Sequence, residues 1–296
     1  MYTKEYIVSQ LRELGIKSGD MVNAKVSLKS IGKIDGGPNT LIAAIMEVIG
    51  EEGTLVCESF NPVVSAYLRF FKKKNVVSRY SKSYAGAFVN AVVNYDGSYR
   101  STHPIQAFSA IGKYAKQLTE GFTKTSRPYG FLQDMADLGA KNLRIGNNVV
   151  GVGTTHIAIL EMGFEQKDLP CGVYYTDENG KVRFFRHTWA SGCPKAYKML
   201  EPYYDERGGV LSKGNIGEAA ALVTDMKKTL EIEMKLFKDN PDLVFCGDPA
   251  CISCSFNWRH SKHSFSDCVK ANIQKKNYKH LLYAILVKFF GRWHKI

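Results

Sequence analysis

Asp20-Met-Val-Asn-Ala-Lys-Val-Ser-Leu-Lys-Ser-Ile-Gly-Lys-Ile-Asp-Gly-Gly-Pro38 is the stretch on which the fold turns. Its first part, Met21 to Ser27, is a short apolar run of strand character. Leu28 to Pro38 holds three glycines and reads as a loop. Asn39 is placed to cap a helix carrying Leu41, Ile42, Ile45, Met46 and Ile49, which Gly50 ends. Thr54 to Glu58 reads as a second strand. Upstream, Tyr6, Ile7, Leu11 and Leu14 recur at helical spacing and Gly15 stops them. The order helix, strand, helix, strand predicts an α/β fold with strands buried on both faces.

The rest of the chain extends this pattern less regularly. A helix is expected over Ala85 to Val93 and a loop over Ser101 to Ser109. Strand signal runs from Asn142 to Val152 with a turn at Asn147-Asn148, and Tyr174 to Phe185 reads as a hairpin closed around Asn179-Gly180. Glu218 to Phe237 is predicted to be the longest helix, with Ala221, Leu222, Met226, Leu230, Met234 and Phe237 along one side. No repeat or low-complexity linker interrupts the 296 residues. The expectation is one large domain over 1–245, a central mixed sheet flanked by helices. A Cys/His-containing, basic, helical extension is expected over 246–296. Apolar residues at 45% and charged residues at 23% exclude a disordered or coiled-coil chain. No apolar run reaches the length of an ordinary membrane-spanning helix. Met1 to Glu5 lacks the basic-then-apolar start of a secretory signal, so a cytoplasmic location is expected.

The net charge of +12 is concentrated. Ser59 to Tyr95 carries six basic residues (Arg69, Lys72, Lys73, Lys74, Arg79, Lys82) and no acid, and Trp258 to Ile296 carries nine basic residues against Asp267 alone. Together they hold +14, leaving the body near −2. Such patches attract anions. Nucleic acid is not expected, because no helix-turn-helix, RNP-like or zinc-finger pattern accompanies them. In the tail, Leu281 to Val287 is apolar and Lys288, Arg292 and Lys295 form a basic stripe. That helix suits the anionic inner face of a membrane, or packing against the body or the partner of a homodimer.

Seven cysteines in a chain without a signal are expected to be free thiols. Cys246, Cys251 and Cys254, with His260, His263 and Cys268, offer ligands for a structural zinc, but the spacing fits no standard finger, so no metal is expected. Cys57 reads as a buried small hydrophobe.

Three segments together resemble the aminoglycoside 3-N-acetyltransferase (antibiotic acetyltransferase) family: Val26-Ser-Leu-Lys-Ser-Ile-Gly-Lys-Ile-Asp-Gly-Gly-Pro38 with Gly53-Thr-Leu-Val56, Arg100-Ser-Thr-His-Pro104 with Phe108-Ser-Ala-Ile-Gly112, and Gly151-Val-Gly-Thr-Thr155 running to Glu161. Gly214-Asn-Ile-Gly-Glu-Ala219 is a weaker echo, and the resemblance covers roughly residues 5 to 235. It implies transfer of an acetyl group from acetyl-coenzyme A to an amine of an amino sugar. Such chemistry needs a base for the ammonium proton, donors for the oxyanion, and groups for the cofactor's phosphates. Ser27, Lys29, Ser30, Ile31, Gly32, Gly36, Gly37, Ser101 and Thr155 are the expected cofactor-binding residues. His156, Glu161 and His103 are the expected catalytic ones.

Two departures from the family pattern bear on mechanism. Lys25 stands where the family carries a histidine, and the family's His-x-x-Glu places its histidine on Ala158. His156 and Glu161, five apart on one helix, diverge by roughly 140° and should not form the usual dyad. Aminoglycosides are polycations, whereas this chain is basic. The preferred acceptor is therefore anionic, such as a nucleotide-linked amino sugar of polysaccharide assembly. An aminoglycoside, or a ligand-binding role without catalysis, is the alternative.

Overall fold

In the computed structural model, residues 1–67, 75–147, 151–165, 170–186, 192–256, 258–259 and 262–290 are described. The first half of the chain contains α1 (Lys4–Glu13), β1 (Met21–Val26), α2 (Leu28–Ile31), α3 (Pro38–Ile49), β2 (Thr54–Glu58), β3 (Val64–Ser65), α4 (Ala87–Val93), β4 (Tyr99–Arg100), β5 (Phe108–Gly112), α5 (Ala115–Gly121), α6 (Gly130–Asp137) and β6 (Lys141–Ile145). The second half contains α7 (Thr155–Glu161), β7 (Cys171–Thr176), β8 (Val182–Arg186), α8 (Pro194–Met199), α9 (Glu201–Glu206), β9 (Val210–Ile216), β10 (Ala219–Asp225), α10 (Met226–Asp239), α11 (Ile252–Phe256), α12 (Phe265–Gln274) and α13 (Tyr278–Phe290).

Seven strands form a mixed sheet in the order β4-β5-β2-β1-β6-β10-β9. At its centre β1 runs parallel to both β2 and β6, while β5 and β10 run antiparallel outside them. Strand alternation then sorts β1. Val22 and Ala24 pack with Leu11 of α1, Ile42 and Ile45 of α3 and Val89 of α4. Met21 faces the other way, with Phe131 of α6, Ile157 of α7 and Met226 of α10. Asn23 and Lys25 share that second parity. A separate three-stranded sheet, β3-β7-β8, contains the expected hairpin at Asn179-Gly180.

Four expectations need correction. The helix after the glycine loop begins at Pro38, not under an Asn39 cap, because proline at the first position needs no N–H and presets the helical φ. The glycine loop itself contains the single turn α2. The stretch Ser101 to Ser109 is not all loop, since β5 starts at Phe108. Residues 218–237 are not one helix. Ala219–Asp225 is a strand clasped between β6 and β9, and Asp225 caps α10 by accepting from Lys228 N at 2.8 Å. An Ala-Leu-Val run suits either period, and the open edge of β6 decides for the strand.

No helix among the described residues is long and apolar enough to cross a membrane. Of the tail's basic stripe, Lys288 lies 4.0 Å over the ring of Phe265 in α12. Arg292 and Lys295, like Arg69, Lys72, Lys73, Lys74, Asn148 and His260, fall outside the described residues.

Candidate active site

Open α/β sheets gather their chemistry beyond the carboxyl ends of parallel strands where chain connections diverge. Here that place lies past Val26, Glu58 and Ile145. Lys25, near the end of β1, pairs with Glu58, the last residue of β2, at 2.8 Å, and both are largely shielded from solvent. Beneath them Asn23 Nδ2 donates to Asn142 Oδ1 across β1 and β6 at 3.1 Å. Gly153 crosses directly above, where a Cβ would stand 3.1 Å from Asn23 Nδ2. Its left-handed φ of 88° fits the same requirement for glycine.

That crossing delivers the chain into α7. Its opening is fixed by a carboxylate that sequence reading did not single out. Glu233 of α10 is fully buried and accepts from Thr154 Oγ1 at 2.6 Å, from Tyr204 Oη at 2.6 Å and from Thr155 Oγ1. Burial pushes its pKa up to about 7, against the pull of those three hydroxyls and of Lys25. The next residue, His156, is half-buried. Its ring stacks on Tyr129 at 4.2 Å and meets Tyr197 edge-on at 5.3 Å. Tyr197 Oη lies 3.2 Å from His156 Nδ1. Burial, with the Lys25 charge adding to it, pushes the imidazole down to about 3, so it is neutral across the physiological range.

The other expected catalytic residues lie apart. Glu161 ends α7 on its exposed side, paired with Arg127, and does not meet His156. Five-residue spacing on a regular helix produces that divergence. Glu161→Gln is therefore expected to alter stability by less than about 1 kcal/mol and kcat by less than about threefold, as steady-state kinetics would read. His103 is buried, and its Nδ1 accepts from Ile105 N and Gln106 N at 3.2 and 2.9 Å. It holds the Pro104 turn and stacks on Phe122, with its pKa pushed down to about 4 by burial. It also lines a pocket of about 210 Å³ with Arg79, Arg100, Ser101 and Tyr175.

The expected cofactor residues divide by environment. Ser27 and Ser30 join hydroxyls at 2.7 Å around α2, with Lys29 exposed between them. Ile31 is core, and its carbonyl accepts from Glu218 N. Gly32 and Gly36 answer to internal packing: a Cβ would stand 2.9 Å from Glu218 Oε1 at Gly32 and 2.4 Å from Thr40 Oγ1 at Gly36. Gly37 opens on free space. Ser101 and Thr155 are buried, accepting from Phe108 N and donating to Glu233 respectively. Cys57 is fully buried and its thiol is pushed up by that burial, as befits a small hydrophobe.

Aminoglycoside N(3)-acetyltransferase III of Acinetobacter baumannii is 27% identical over 176 residues, 53% of this chain and 60% of that protein. The chain thus spans less than two thirds of the length of the curated relatives it matches. Among solved structures, sisomicin-bound AAC-VIa superposes with a TM-score of 0.70 at 24% identity, over 80% of this chain and 98% of that one. AAC-IIIb in binary complex with CoASH gives 0.69 at 18% identity, over 80% and 97%. These likenesses carry the fold. The family profile described as aminoglycoside 3-N-acetyltransferase matches residues 21–238, from the first residue of β1 to the last turn of α10. The chain belongs to the aminoglycoside 3-N-acetyltransferase family.

Proposed function

We propose that the protein transfers an acetyl group from acetyl-coenzyme A to an amine of an aminoglycoside. The observation that carries this reading is His156, braced by the rings of Tyr129 and Tyr197 and within reach of the charge of Lys25 near the end of β1, inside the span the family profile matches. Held at a pKa of about 3 the imidazole is a weak base, so taking the nitrogen's proton requires that bound substrates raise that pKa toward the working pH. The ammonium gives one proton to solvent to become the attacking amine. His156 takes the second as the C–N bond forms and the C–S bond breaks, and the imidazolium passes it to the sulfur so that coenzyme A leaves as the thiol. Tyr197 and Tyr129 fix the ring's orientation, and Glu233 fixes the helix start on which it stands. Lys29 and Lys33 are exposed beside α2, and neither is in an ion pair among the described residues. They suit the phosphates of the donor, with Ser27, Ser30 and Gly37 beside them.

The acceptor follows local rather than global charge. Part of the basic excess that favoured an anionic acceptor is taken up in ion pairs among the described residues. Lys262 and Lys275 of the C-terminal segment pair with Asp242 and Asp248. Among the described residues, the one charge that acts on His156 is that of Lys25, which is held in its pair with Glu58 and so is not an unpaired cation set against a cationic sugar. The family and the name of the Acinetobacter relative lend the same direction. Polysaccharide assembly has no support of this kind.

The test pairs calorimetric titration of acetyl-coenzyme A with acetylation assays on sisomicin, kanamycin and nucleotide-linked amino sugars side by side. Micromolar donor binding with turnover of the aminoglycosides is expected. Turnover of the sugar nucleotides alone would overturn the acceptor, and absence of donor binding would overturn the reaction.

A further inference from the structure

Among the described residues, the densest group of nucleophilic side chains outside the proposed site is a set of sulfurs. Cys193 Sγ lies 3.6 Å from Cys251 Sγ, and Cys246 Sγ lies 3.7 Å from Cys254 Sγ. All four lie within 4.8 Å of one another. A disulfide would bring two of them to about 2.0 Å. A tetrahedral ion bound to four thiolates at about 2.3 Å would hold its sulfurs about 3.8 Å apart. The closest pairs match the second geometry.

We propose that Cys193, Cys246, Cys251 and Cys254 form a structural zinc site. Three of the ligands were visible in the sequence, but the fourth is Cys193, which precedes α8, rather than a downstream histidine or Cys268. Cys268 Sγ is directed instead to the Ala250 carbonyl at 3.5 Å. Four soft thiolates in tetrahedral disposition select zinc over harder cations, and a full set of protein ligands leaves no open position for catalysis. The surroundings support the ligands. Cys246 N–H points at Cys254 Sγ at 3.5 Å, and Cys251 N–H donates to the Asp248 carbonyl at 2.9 Å, closing the turn that presents the pair. Asp248 is in turn clasped by Lys195 at 2.7 Å and Lys275 at 2.8 Å, which set positive charge beside thiolates that carry excess negative charge once metallated. Ala196 and Phe245 enclose the cluster in apolar surface.

The site would clip residues 246–254 to the start of α8, the helix whose Tyr197 touches His156. Gly192, just before the ligand Cys193, packs so closely that a Cβ there would overlap Tyr197 Oη. Loss of the metal therefore loosens a brace of the imidazole without altering any residue that meets substrate.

The experiment uses untagged full-length protein purified without chelator, with elemental analysis for zinc. One zinc per chain is expected, falling below half in both Cys193→Ser and Cys254→Ser, while Cys268→Ser keeps it. Should the serine variants fail to fold, exchange of cobalt(II) into the wild type is the second measurement, with thiolate-to-cobalt charge-transfer bands and tetrahedral d–d bands expected. Metal-free protein, zinc content unmoved by both substitutions, or an intact mass lowered by the hydrogens of a disulfide would overturn the site. Iron in place of zinc would overturn the choice of metal. None of these readouts depends on acetyl transfer, so the site and the proposed reaction stand or fall separately.

Discussion

His156→Ala lowers kcat for acetyl transfer by roughly 10²- to 10⁴-fold, the usual worth of a positioned general base. The KM for acetyl-coenzyme A stays near the wild-type value, because the donor is assigned to the segment around α2. The substitution also removes the stacked contact with Tyr129 and the edge contact with Tyr197, costing about 1–3 kcal/mol of stability. His103→Ala behaves in the opposite way. It leaves Ile105 N and Gln106 N without their buried acceptor, so the melting temperature falls while kcat of the folded fraction holds. Kinetics and thermal melts on both variants separate the roles. Equal loss of kcat in the two would sink the assignment to His156.

Glu233→Gln is expected to move activity and stability in opposite senses along the pH axis. The carboxylate accepts three hydroxyls only when ionised, and protonation obliges it to donate to one of them. In the wild type, kcat therefore falls as the pH drops through about 7, while the glutamine variant lacks that inflection. Stability runs the other way. The folded pKa is raised from the unfolded value of 4.5 to about 7, so the folded state holds the proton more tightly. The contribution is fully present below pH 4.5 and is lost as pH rises through 7, by about 3 kcal/mol. Subtracting the variant's unfolding free energy from the wild type's at each pH isolates that slope. Parallel curves would remove Glu233 from the account of how α7 is positioned.

What the sequence disclosed depended on how local the cause was. β1, α3 and β2 were legible because their periods and breakers lie within a few residues. β10 was not, because Ala219 to Thr224 is compatible with a helix until β6 and β9 offer it partners. The histidine's helix could be placed from Gly151 to Glu161, and its failure to meet Glu161 followed from spacing alone. Glu233 escaped notice inside a segment read for its apolar side. An acid among Met226, Thr229, Ile232, Leu236 and Phe237 on the buried side of α10 was the available signal. The ligand Cys193 had none, since nothing local ties it to a cluster more than fifty residues downstream.

The dependence of α7 on α10 also has a temporal side. A ribosome making roughly 5–20 residues per second delivers Glu233 roughly 4–15 s after His156. During that interval the start of α7 lacks its carboxylate, and Ile157, Ala158 and Ile159, all buried in the finished protein, have no α10 to cover them. The newborn chain thus presents an apolar helix to solvent before α10 has been made. It is at this stage, rather than after release, that chaperones have the most to hold.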